Sequence, residues 1–416
     1  MTRKRLAFVS VMPVCLCLIF ILACIPAPQA PVEQQTLKVG CIMPFTGPAA
    51  MWGEKIRPGM EIYADLINED GGLKVGAQKY KIEMIFQDGF APGPAAAAAR
   101  NLVYDHGVKA IVGYFGVGIA AITQVTNPEK VILNIGTLGG VDPFPPETSY
   151  VIYGFPSMEI TINQALAAMQ AFPQYHTLAW TGPRSGDLTP VTMYTPVDKR
   201  LLQEFGIKSV RAYYPEGTLN FTPYLAKMAE QGTEVVYCVG SPLDIGLLAK
   251  QRWEMGYRWP ICQEAAALSF EIMKGICGSE EATQNIISDY PVPWEFKKVT
   301  VALRYLDMAR RIKDRYREQY KQDIFAGAYG GACINSQGQY FEALEQAGTI
   351  DPDVVMRTVR GGTFDTFMGR YTVTGNKYYR SQVVFGHPCA VGISKGTGNV
   401  YLGEYPMMSV EKPFAE

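Results

Sequence analysis

Histidine is almost missing from this chain of 416 residues: there are three, His106, His176 and His387. They lie far apart, and none belongs to a spaced set of metal ligands, which argues against a zinc or iron site. Charge is sparse as well, at 19% of residues. The 38 Lys and Arg stand against 39 Asp and Glu, without the basic surplus expected of a nucleic-acid partner. No Walker phosphate loop, HExxH or CxxC occurs. Two catalytic-looking strings fail on context. Gly116-Val117-Gly118-Ile119-Ala120-Ala121 has the outline of a dinucleotide fingerprint, but it follows the third predicted strand and no acidic residue closes a next strand about twenty residues on. Gly392-Ile393-Ser394-Lys395-Gly396 has the outline of a hydrolase elbow, yet no histidine follows position 387. Nothing here marks an enzyme, and no cofactor is expected.

What the chain does have is apolar residues, 48% of the total, enough to bury sizeable cores and to exclude disorder. Its length suggests two or three compact units. An apolar run of 18 residues without a charge, Leu6 to Ala23, follows Arg3, Lys4 and Arg5 and closes at Ile21-Leu22-Ala23-Cys24. That is the charged, apolar, small-residue order of an export signal. Its end resembles a bacterial lipoprotein cleavage site, with Cys24 as the lipidated residue; an ordinary cleaved signal and an uncleaved anchor are the alternatives. All three place the rest of the chain outside the cytoplasm. Six cysteines follow Cys24, and export permits disulfides. Cys262 and Cys277 are closest in sequence and flank a predicted helix, so a bridge is expected there. Cys41, Cys238 and Cys389 lie in strand-like runs and read as buried free thiols.

From Thr36 strands and helices alternate. Leu37 to Phe45 reads as a strand and Gly53 to Ile67 as a helix, with Ile56, Met60, Tyr63 and Ile67 on one face. Gly71-Gly72 stops it. A strand ending at Asp88, a helix opened by Pro94, a strand Lys109 to Val112 and a strand Val131 to Ile135 continue the rhythm, which predicts a parallel, doubly wound sheet. The same order restarts after Phe155, with Thr222 as cap and Pro223 as the first residue of one helix. Thr300 to Lys321 predicts a long helix with a basic face, Arg304, Arg310, Arg311, Lys313, Arg315 and Arg317, interleaved with Asp307, Asp314 and Glu318 as a solvated ion-pair face. The tail from Arg370 to Pro406 is rich in strand patterns.

Several of these stretches resemble one family. Val39-Gly40-Cys41-Ile42-Met43-Pro44-Phe45-Thr46-Gly47-Pro48 is similar to the first strand and loop of the branched-chain amino-acid binding proteins of ABC transporters. So are Ile67-Asn68-Glu69-Asp70-Gly71-Gly72, Phe86-Gln87-Asp88, Asn101-Leu102-Val103 with Ala110-Ile111-Val112-Gly113, and Asn220-Phe221-Thr222-Pro223-Tyr224-Leu225. The resemblance covers residues 36 to about 405. It implies an α/β fold of two Rossmann-like lobes, each a parallel sheet flanked by helices, joined by a three-crossing hinge and closing on a ligand. The domains expected are a signal peptide, 1–24, and a linker, 25–35. The N-terminal lobe is then 36–154 with about 284–370, and the C-terminal lobe 155–283 with about 371–410.

The resemblance also implies a function: a solute-binding receptor that hands its ligand to an ABC permease, held at the membrane by its lipid. A ligand-sensing receptor domain of the same fold is the alternative. Carried over by position, Trp52 and Tyr329 are aromatic walls, Glu264 is the acid for a ligand ammonium, and Tyr194 lies on a weaker match. Tyr114, Phe115, Gly116 and Val117, then Thr137, Leu138 and Gly139, stand where the family binds a ligand carboxylate. Two departures are visible there. Gly113-Tyr114-Phe115-Gly116-Val117-Gly118 has no Ser or Thr, and Gly136-Thr137-Leu138-Gly139-Gly140 lacks the usual hydroxyl pair. Each lost hydroxyl donor to a charged acceptor is worth about 1–3 kcal/mol. The ligand is accordingly expected to be an amino acid or an aromatic or aliphatic carboxylate.

Overall fold

A computed structural model describes residues 34–47, 49–138, 144–145, 147–154, 165–166, 168–184, 198, 201–263, 270–290, 302–322, 324, 328–367, 369–376, 381–385, 389–394 and 399–405. Strands are numbered along the chain. The first sheet contains β1 (Gln35–Met43), β2 (Leu73–Val75), β3 (Gln78–Asp88), β4 (Ala110–Gly116), β5 (Ile132–Leu138) and β6 (Val151–Tyr153). It also takes in β12 (Thr363–Thr366), β13 (Gly369–Asn376) and β14 (Ser381–Phe385), in the order β12-β13-β14-β6-β5-β4-β1-β3-β2. The second sheet contains β7 (Thr177–Thr181), β8 (Lys208–Arg211), β9 (Val235–Cys238), β10 (Ile261–Gln263), β11 (Ile286–Tyr290), β15 (Cys389–Ser394) and β16 (Asn399–Tyr405). Its order is β16-β15-β11-β10-β9-β7-β8. The chain therefore passes between sheets three times: after β6, after β11 and after β14.

This assignment moves two expected boundaries. β11 was expected with the N-terminal lobe, but it pairs in parallel with β10 in the second sheet. Most of β13 and all of β14 were expected with the C-terminal lobe, but β14 pairs with β6 in the first. Strand pairing decides both, and neither short strand declares its partner by periodicity.

In the first sheet β1, β4, β5, β6 and β14 run parallel, and both faces are buried. Val39, Cys41 and Met43 pack with Ile56, Met60 and Tyr63 of the helix Ala50–Glu69. Ile42 and Ile111 pack on the other face with Ala95 and Ala99 of the helix Pro92–Arg100 and Ile122 of the helix Ile119–Thr126. Gly71 and Gly72, both at positive φ (94° and 89°), end the first helix as expected. Just before them, Asn68 acts as a surrogate peptide: its amide donates to the Ile82 carbonyl (2.9 Å) and accepts from the Ile82 amide (2.7 Å).

A compensated pair of bulges aims the residues of the candidate site. Register shifts by one residue at Gly113 in β4, and again opposite it at Gly136 in β5. Gly113 has φ +67°, and a Cβ there would lie 2.7 Å from Met60 Cε, so glycine is required. Before the bulge Ala110 and Val112 face the first helix; after it Phe115 does, and Tyr114 turns to the opposite face. The amide of Gly113 donates to Ser336 Oγ (3.0 Å), which donates to the Asn134 carbonyl (3.0 Å). Ser336 lies on the helix Ala328–Ala347, whose residues 330–344 are all buried.

Other expectations are corrected by side-chain contacts. Cys262 and Cys277 are free. Along β10 Ile261 and Cys262 point to opposite faces, and Cys277 packs on the face of Ile261. The two thiols thus lie on opposite sides of the sheet and cannot be bridged; Cys277 Sγ instead donates to the Gly246 carbonyl at 3.5 Å. Thr222 is the first helical residue, with Phe221 at the cap. In the helix Leu303–Tyr320 the cations reach other helices: Arg311 binds Asp70, Arg315 binds Glu69, and Arg304 binds Glu342 and Glu345. Cys41 and Cys238 are buried free thiols, as their strand patterns predict.

Candidate functional site

In an open α/β sheet the crevice for a ligand lies at the carboxyl ends of the strands, where successive connections leave in opposite directions. In the first sheet that point falls between β1 and β4, since β1 leads towards β3 on one side and β4 leads to β5 on the other. In the second it falls between β7 and β9.

The first of these edges is built from three loops. After β1, the amide of Phe45 (2.7 Å) and the hydroxyl of Thr46 (2.5 Å) donate to the carboxylate of Asp88 at the end of β3. Partial burial opposes ionisation of Asp88, but these bonds, with the amides of Thr46 and Gly89, hold its pKa below the usual carboxylate value. A carboxyl lowered on folding adds stability above its unfolded pKa of about 3.9, and loses it as pH falls through the folded value. The midpoint difference between wild type and Asp88→Ala is therefore expected to be full at pH 7 and to shrink below about pH 4. A difference that stays constant down to pH 3 would exclude this clamp.

The first helix starts against Pro44: a Cβ on Gly53 would lie 2.0 Å from the Pro44 carbonyl oxygen. That approach brings Trp52 onto Phe115 (ring centroids 6.5 Å, 28° between planes), and Phe115 onto Phe90 (6.1 Å, 36°). Among these three, Phe90 is the most open, half-buried at the end of the loop after β3. After β4, Val117 donates to the Phe90 carbonyl (3.1 Å) and Gly118 to the Tyr114 hydroxyl (2.6 Å).

At the second edge Ser241 and Asp244 form a capping box on the helix Pro242–Glu254. A Cβ on Gly240 would meet the Tyr214 hydroxyl at 2.6 Å. Past β7 the amide of Arg184 donates to the Tyr214 carbonyl (2.7 Å), and the Arg184 side chain is exposed. Arg211, at the end of β8, is paired with Asp198.

A model of the family described as periplasmic binding protein matches residues 36–384. The chain belongs to that family. A leucine-, isoleucine-, valine-, threonine- and alanine-binding protein of Pseudomonas aeruginosa is 25% identical over 346 residues, 80% of this chain and 84% of that one. The fold is shared with a branched-chain amino acid transporter substrate-binding protein of Streptococcus pneumoniae in complex with isoleucine. Its TM-score is 0.69 at 17% identity, over 89% of this chain and 99% of that one. It is shared also with an R. palustris solute-binding protein in complex with benzoate, with a TM-score of 0.66 at 16% identity over 90% and 98%.

Within this family frame the expected site residues divide. Trp52 lies at the first edge but is only 7% exposed. Tyr114 and Phe115, expected against the ligand, are 0% and 2% exposed and belong to the core. Both faces of β4 are buried; the bulge at Gly113 decides which face each takes, and the Tyr114 hydroxyl serves the start of the next helix. Gly116 and Val117 lie on the edge, Gly116 in register with Leu138, and Thr137 stands in register with Phe115. Tyr329 is in the first turn of the helix Ala328–Ala347, one turn before Cys333, whose Sγ borders Gly136. Gly139, Tyr194, Glu264 and Cys24 lie outside the described residues. Phe90 and Arg184 were not anticipated: a Gly-Phe and a Pro-Arg after strand ends are weak signals by themselves.

A cavity of about 180 Å³ lies elsewhere among the described residues, lined by Tyr63, Tyr305, Phe341, Arg304, Glu342 and Glu345. Glu342, 5% exposed, accepts from Arg304, from the Tyr305 hydroxyl (2.8 Å) and from Gln346 (2.9 Å). These bonds satisfy its carboxylate and tie two helices together, which is a structural role. Among the described residues there is no group of three or more His, Cys, Asp or Glu fit for a metal, and no helix long and apolar enough to cross a membrane.

Proposed function

We propose that this chain is the extracytoplasmic solute-binding receptor of an ABC importer, held at the membrane through a lipid on Cys24. It binds a small amino-acid-like or carboxylate solute reversibly between two lobes, catalyses nothing, and presents the solute to its permease. The observation that carries the reading is topological: two doubly wound sheets, each with a switch-point crevice, share three crossings. Three crossings would let the lobes open and close, and greater affinity for the closed form would report occupancy to a membrane partner. Trp52, Gly116, Val117, Thr137, Leu138, Gly139, Tyr194, Glu264 and Tyr329 would face the crevice in this reading. The relatives' printed ligands, from leucine to benzoate, support a carboxylate-bearing solute.

The test is thermal unfolding of the full-length chain in detergent against amino acids, amides and carboxylates. A ligand at a hundred times its Kd adds about 2.7 kcal/mol, a clear rise in midpoint. No rise with any member of the panel would reject the receptor reading.

A further inference from the structure

The first edge is poor in hydrogen-bond donors. Among residues 44–53, 89–95 and 116–121 there is no Lys, Arg or His. The Phe45 amide and the Thr46 hydroxyl are engaged by Asp88, the Gly89 amide by the Met43 carbonyl, the Val117 amide by Phe90 and the Gly118 amide by the Tyr114 phenol. Pro92 and Pro94 remove two N–H groups from the first turn of the helix that follows β3. A helix start stripped of donors in this way is a poor anion site. What the edge presents instead is mainly apolar: half-buried Phe45, Phe90 and Val117, and Met51 at 48% exposure, with the Arg57 guanidinium over the Phe45 ring (5.9 Å) already paired with Glu61 (2.8 Å).

The second edge supplies the missing charge. Arg184 stands three residues past the end of β7, the strand beside the second switch point, with its backbone held to Tyr214. Among the described residues its guanidinium has no acidic partner, unlike Arg211 at the end of β8, which Asp198 neutralises. A guanidinium is matched in shape and charge to a carboxylate. We infer that Arg184 anchors the ligand carboxylate from the second lobe while the donor-poor first edge receives a hydrocarbon body, so that the ligand is an apolar monocarboxylate without an α-ammonium group.

This inference rests on the receptor reading, and one titration series separates the two. Full-length chain is titrated with benzoate, phenylacetate and hexanoate, with methyl benzoate as the uncharged control, and with L-leucine and L-isoleucine. At least one monocarboxylate is expected to bind, with the ester and both amino acids weaker by about tenfold or more. Arg184→Gln should weaken the monocarboxylate by about 10–100-fold and Arg184→Lys by less. The ligand-free midpoint of both variants should match wild type, because the side chain is exposed. If L-leucine or L-isoleucine binds best, or Arg184→Gln binds as wild type does, the inference falls and the receptor reading stands. If nothing in the series or the wider panel binds, both fall.

Discussion

Replacing Phe115 by alanine is expected to lower stability by about 3–5 kcal/mol, the usual cost of emptying a buried phenylalanine site. The ring is 2% exposed and lies between Trp52 and Phe90, so its loss removes two aromatic contacts together with its own burial. Little can collapse into the gap. On one side the first helix is already in contact with Pro44 at Gly53, and on the other the β4 backbone is fixed by Ser336. Phe115→Leu retains most of the volume and should cost less than about 1.5 kcal/mol. Urea unfolding of both variants checks this ordering. Equal losses, or a loss below about 1 kcal/mol for alanine, would mean that the ring does not fill the space between Trp52 and Phe90.

The second large effect is expected at Arg252. Its side chain is 0% exposed and donates to the carbonyls of Trp259, Ala282 (3.1 Å) and Gln284 (2.7 Å). One guanidinium thereby closes the backbone turns that lead into both β10 and β11. Burial lowers its pKa to about 10, still well above neutrality, so the cation persists at pH 7. Arg252→Met keeps the aliphatic stem and strands three buried carbonyl oxygens. Stability should fall by about 3–5 kcal/mol, more than volume alone predicts. Arg252→Lys should recover only part of it, since an ammonium cannot reach three carbonyls from one planar fork. Urea midpoints of the two variants decide the matter; near-wild-type stability for methionine would show that solvent reaches those carbonyls.

Arg252 also illustrates what a linear reading misses. An arginine inside Ala249-Lys250-Gln251-Arg252-Trp253-Glu254 looks solvated, and only the turns that arrive some thirty residues later make its burial worthwhile. The alternation of strands and helices, the glycine stop at Gly71-Gly72 and the buried thiols of Cys41 and Cys238 were legible because each follows from local period or backbone freedom. The helix Ala328–Ala347 is not announced by the sequence pattern. Asn335, Ser336 and Gln337 interrupt its apolar pattern, yet all three are buried. Ser336 satisfies the bulge, and Gln337 donates to the Met60 carbonyl (3.2 Å). Tyr114 and Phe115 were placed at the site by resemblance alone, and position in a motif does not show that the strand carrying them is packed on both faces.

The order in which the strands are laid down has a consequence for any shortened form of this chain. β6 waits for β14, and β11 waits for β15, while both partners lie beyond residue 380. A product that stops before that point would expose two raw sheet edges at once, one in each lobe, with rows of unpaired backbone groups ready to join another chain. Neither lobe can be cut out as a continuous fragment. Each would have to be spliced from distant pieces, and strands made about 230 and about 100 residues after their partners β6 and β11 are the ones that shield both halves from self-association.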